Sequence, residues 1–93
     1  MGATHQLNIP AAAISDSASH EIMRVWIAEG GQHFSVRIGT WDDPAAWGLL
    51  LADLARHIAA SHASEYSADK EATLERIADG WNAEIGFPTN PPR

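Results

Sequence analysis

Ile22-Met23-Arg24-Val25-Trp26-Ile27-Ala28-Glu29-Gly30-Gly31-Gln32-His33-Phe34-Ser35-Val36-Arg37-Ile38 spells an antiparallel β-hairpin. Successive strand residues point to opposite faces, so the apolar positions fix which residues share a side. Gly30-Gly31 offers the positive φ of a tight primed turn. With those glycines at the tip, Ile27 faces Phe34, Val25 faces Val36 and Met23 faces Ile38, six apolar residues on one face. The other face then pairs Ala28 with His33, Trp26 with Ser35, and Arg24 with Arg37. A three-residue loop would set Ile27 against Ser35 and mix the faces, which burial of one face forbids. A two-residue loop, or a four-residue loop in the same register, is the expectation.

Outward from the hairpin, residues 1–19 read as an N-terminal arm and loop. His5, Leu7 and Ile9 alternate before Pro10, which allows a third, N-terminal edge strand, since a two-stranded sheet alone is marginal. Residues 11–19 are small and polar and read as a linker. After the hairpin (20–39), Gly39-Thr40-Trp41-Asp42 turns the chain. Asp43-Pro44 then starts a helix: Asp is a strong N-cap, and Pro is tolerated at the first helical position. Helix 1 is expected over 43–62, its Trp47, Leu50, Leu51, Leu54 and Ile58 forming an amphipathic stripe. Its other side is rich in alanine, so more than one element must cover it. Ser67 is the expected N-cap of helix 2 (68–85), with Leu74, Ile77, Ala78, Trp81 and Ile85 on one face. Gly86 suits a C-cap, and 87–93 is an extended tail. The reading is one α+β domain, 1–93, in the order β-β-α-α: a hairpin packed on two helices. The core should hold Met23, Val25, Ile27, Phe34, Val36, Ile38, Trp47, Leu50, Leu51, Leu54, Ile58, Leu74, Ile77 and Trp81.

Composition narrows the function. A net charge of −6 argues against nucleic acid, whose binding draws on a basic face, and against an anionic membrane surface. The absence of cysteine excludes disulfides, thiolate metal sites and a cysteine nucleophile. With no leader-like N-terminus and no membrane-spanning run, a soluble cytoplasmic protein is expected. Four tryptophans in 93 residues is high, and aromatic residues favour interfaces as well as cores.

Taken together, Ile22–Ile38, the helix start Thr40-Trp41-Asp42-Asp43-Pro44-Ala45-Ala46-Trp47 continuing to His57, and the opening Leu7-Asn8-Ile9-Pro10 resemble a bacterial domain-of-unknown-function family, number 5076. The resemblance covers nearly the whole chain and implies a small α+β domain of bacterial origin. It brings no established activity and no catalytic residues.

The sharpest anomaly is Arg24 opposite Arg37. Like charges across a hairpin are unfavourable by some tenths of a kcal/mol unless compensated, and stacking on Trp26 is one compensation. The face with Ile22, Arg24, Trp26, His33, Ser35 and Arg37 therefore supplies the interface or ligand candidates. It can be a solvated surface, a contact with a second copy or another protein, or a small-anion site, since paired guanidinium forks suit carboxylate or phosphate. The five histidines lack metal-ligand spacing, so neither metal nor cofactor is expected. His57 should be held by Asp53, four residues earlier. Asp42-Asp43 serve the helix start, no Ser lies in a nucleophile elbow, and Gly30-Gly31 precedes a strand rather than a phosphate-binding helix. No catalytic residue is identified. The preferred function is a non-enzymatic interaction or homodimerisation module; the alternative is a small-anion or metabolite binder, or an enzyme, with a pocket near Arg24, Arg37 and His33.

Overall fold

In the computed structural model, which describes residues 5–87, the hairpin forms from β1 (Met23–Ala28) and β2 (Gly31–Val36). Its turn is Glu29-Gly30 rather than Gly30-Gly31. Both central residues take positive φ, 53° and 76°, as a type I′ turn requires. The strands therefore pair two residues out of the expected register: Met23 with Val36, Arg24 with Ser35, Val25 with Phe34, Trp26 with His33 and Ala28 with Gly31. A shift of two keeps every side chain on its expected face, so the apolar pattern cannot distinguish the two registers. Charge can. The observed pairing takes Arg37 away from Arg24 and sets it against Ile22, whose carbonyl accepts the Arg37 N–H at 2.8 Å. It also places Phe34 across from Val25, an aromatic–β-branched pair that sheets favour.

The sheet has two strands, and described residues 5–10 form no third one; residue 4 lies outside the described residues. The expected linker contains a short helix, α1 (Ala11–Ser15). Three consecutive alanines after Pro10 are strong helix formers, and Ser19 Oγ ties the following loop back to the Ala13 carbonyl at 2.6 Å. A 3-10 turn, Ile38–Thr40, follows β2.

The helices follow in the expected order, so two antiparallel strands precede two long helices in a small α+β fold. α2 spans Ala45–Tyr66 and α3 spans Lys70–Gly86. At the start of α2, Pro44 already has helical angles, and the Asp43 carboxylate accepts the Ala45 N–H at 2.9 Å. The helix runs a turn past the expected end. The rings of His62 and Tyr66, four residues apart, pair at 5.0 Å and support that last turn. Ser67 is not an N-cap. It terminates α2 in the left-handed region (φ 54°, ψ 33°), the conformation that commonly ends helices. Asp69 caps α3 instead, its carboxylate accepting the Glu71 N–H at 3.0 Å. The expected tail beyond Phe87 lies outside the described residues.

By contacts, the described chain divides into two compact units, one ending at Asp42 and one starting at Asp43. In the second unit α2 packs on α3. The covered positions of α2's second half are Ala55, Ala59 and Ala63, with Thr73, Leu74 and Ile77 half-buried on α3. Ala59 is fully buried. This is the side that the leucine-rich stripe suggested would be secondary. Alanines at every fourth position let a second helix approach closely, whereas Leu51, Leu54 and Ile58 stay exposed. On the hairpin, Met23 is half-buried, but Val25, Ile27, Phe34 and Val36 are exposed, as is Ile38 beyond it. Most of the expected core is therefore left uncovered. Among the described residues no helix is long and apolar enough to cross a membrane.

Candidate functional site

Alternation along the strands puts Ile22, Arg24 and Trp26 on the same face as His33, Ser35 and Arg37. The structure thus gathers all six sequence candidates on one side of the hairpin, but with different partners from those expected. Arg24 Nε donates to Glu21 Oε1 at 2.7 Å, and Arg37 Nε donates to the Glu21 carbonyl at 3.0 Å. One residue thus receives both guanidinium groups. The compensation expected from Trp26 stacking is supplied for Arg24 by the Glu21 carboxylate.

Glu21, Ile22, Arg24, Ser35 and Arg37, with the flanking Met23 and Val36, line an open cleft of about 250 Å³. Its polar groups are two guanidiniums, one carboxylate and one hydroxyl, a set that can receive a small carboxylate or a partner's acidic side chain. His33 is not part of it. Its Nε2–H donates to the Ala28 carbonyl at 3.0 Å, holding the ring toward the turn end of the hairpin. Trp26 is half-buried and lines a second cavity of about 680 Å³ with residues 5–10, Ile14, His20 and the adjoining part of β1. The N-terminal arm therefore flanks β1.

Glu21 is the residue that sequence reasoning missed. It sits just outside the alternating strand pattern, and its only signal is a carboxylate three positions before an arginine that needed a counter-charge. Elsewhere, Asp53 pairs with Arg56 at 3.2 Å, so it does not hold His57 as expected. His62 pairs with the Tyr66 ring. Among the described residues no three His, Asp or Glu side chains come together as a metal site.

Comparison with known proteins places this geometry in context. The domain of unknown function DUF5076 matches residues 6–89. A solved protein described as a "putative pyruvate dehydrogenase from the photosynthetic bacterium Rhodopseudomonas palustrus CGA009" is similar at 32% identity and a TM-score of 0.76. The alignment covers 100% of this chain and 95% of that one. No curated protein matches the chain.

Proposed function

We propose that this chain, which belongs to the DUF5076 family of unknown function, works in the bacterial cytoplasm as a non-enzymatic interaction module. In its simplest form it is a homodimer whose contact is the hairpin face of Ile22, Arg24, Trp26, Ser35 and Arg37. The observation that carries this reading is the make-up of that face, which sets the half-buried Ile22 and Trp26 beside Arg24 and Arg37. A half-buried tryptophan beside two arginines is the composition that interface centres favour.

Size-exclusion chromatography with light scattering tests this. The wild type is expected to be dimeric at tens of micromolar. Trp26→Glu, which places a charge at the contact, should weaken association by roughly 30-fold or more, the equivalent of at least about 2 kcal/mol. A strict monomer at that concentration, unaltered by Trp26→Glu, overturns the homodimer.

A second reading is supported by the cleft at Arg24 and Arg37 and by the description of the similar bacterial protein: binding of a small carboxylate such as pyruvate. Pyruvate at ten times its dissociation constant would stabilise the native state by about 1.4 kcal/mol, raising the melting temperature by roughly 5–10 °C. The Arg24→Ala/Arg37→Ala variant should lose that rise. No rise in the wild type at millimolar pyruvate removes this ligand from consideration.

A further inference from the structure

We infer that the outer edge of β2, at Gln32, Phe34 and Val36, receives β2 of a second copy of this chain as an added antiparallel strand. This goes beyond the face contact proposed above, because an edge and a face are separate surfaces.

The hydrogen-bonding pattern of the hairpin identifies the edge. Arg37 donates its N–H to the Ile22 carbonyl, so residues 22 and 37 form a hydrogen-bonded pair. By alternation the pairs 24–35, 26–33 and 28–31 are of the same kind. The N–H and C=O groups of Gln32, Phe34 and Val36 therefore point away from β1. Among the described residues they find no other backbone partner. An exposed row of this kind is a template for another strand.

Three observations select β2 and a second copy as its occupant. The N-terminal arm flanks β1, as the cavity it shares with Met23, Arg24, Val25 and Trp26 shows, and β2 contributes nothing to that cavity. Protein edges are normally guarded by charge, proline or a bulge. Gly31-Gln32-His33-Phe34-Ser35-Val36 has no Lys, Arg, Asp, Glu or Pro and pairs with β1 without a bulge. Finally, β2 carries no Asp, Glu, Lys or Arg, so two β2 strands related by a two-fold axis meet without setting like charges against each other.

Two-fold symmetry fixes the register. Centring the pair on Phe34 sets Gln32 opposite Val36 of the other copy, so all three outward residues exchange hydrogen bonds. His33 then lies opposite Ser35 of the other copy in the closer, non-hydrogen-bonded type of pair. The apolar side chains of Phe34 from the two copies adjoin on the axis and join the two exposed apolar faces into one.

Because the chain contains no cysteine, engineered thiols report this register directly. His33→Cys mixed with Ser35→Cys should give a disulfide-linked dimer under mild oxidation. Each variant alone should give at least an order of magnitude less, because like positions lie diagonal to each other and out of bonding range. Equal linkage in all three samples, or none in any, overturns the proposal. Charge exchange at the axis is the second arm: in the cysteine-bearing chains, Phe34→Lys and Phe34→Glu should each lose the 33–35 disulfide alone and regain it when mixed, a rescue that a folding defect cannot mimic. Failure to regain it on mixing also counts against the edge pairing. Trp26→Glu separates this proposal from the face contact. Cross-linking that survives Trp26→Glu supports the edge, whereas a Trp26-dependent dimer with no 33–35 cross-link overturns the edge alone.

Discussion

Ala59→Asp abolishes the helical hairpin. Ala59 is fully buried where α2 and α3 form a compact unit, and the alanines at 55 and 63 on the same side are themselves partly covered. The methyl group there sets how closely the helices approach. An aspartate adds volume to a closed contact and brings a carboxylate into a fully buried position. Leaving a charge buried and uncompensated costs on the order of 3–5 kcal/mol, a large share of the stability of a small domain. The melting temperature should fall by more than about 10 °C, with loss of helical circular dichroism. Ala60→Asp is the control. It lies one residue away and is exposed, so it should cost about 0.5 kcal/mol, mainly through helix propensity. Equal melting temperatures for the two variants would show that α3 does not pack on the alanine side.

The second large effect lies in the turn. Gly30→Val should destabilise by about 1–3 kcal/mol, because a β-branched residue is forced to a φ of +76°. Gly31→Val should be neutral or stabilising by about 0.5–1 kcal/mol, since Gly31 is a strand residue where glycine is entropically expensive. A Cβ at either position meets no atom within 4 Å. The contrast therefore comes from the backbone alone and not from a clash. Thermal denaturation of the two variants side by side measures it. A turn at Gly30-Gly31 would make both substitutions harmful, so a shared loss of stability would restore the register expected from sequence.

This contrast shows where the sequence was legible. The two faces of the hairpin could be read because the side-chain period is two, and the six site candidates do share a face. The register could not be read from hydrophobicity, because sliding by two leaves the apolar set unchanged. The clue was the clash that the wrong register created, Arg24 against Arg37, which the observed pairing removes. Asp43-Pro44 was a clear helix start because cap chemistry is local. Ser67 was misread because a left-handed helix end usually carries glycine, and Asp69, the actual cap, lies only two residues on. The helix contact was misjudged because leucine outweighs alanine in any hydrophobic pattern, although small side chains are what allow close approach. Glu21 escaped notice because its role depends on two arginines that approach it from different strands.

The connections have a consequence for how quickly the structure forms. A two-residue turn joins β1 to β2, and Ser67–Asp69 alone separate α2 from α3. Each pairing thus closes a short loop between neighbours in sequence, with little entropy lost before the first contacts form. Chains of such low contact order fold in microseconds to milliseconds. Each unit should be assembled soon after its residues leave the ribosome, well before an encounter with a second copy in a dilute cell. Formation of the proposed dimer would then be a separate, bimolecular step, and its rate would rise with concentration.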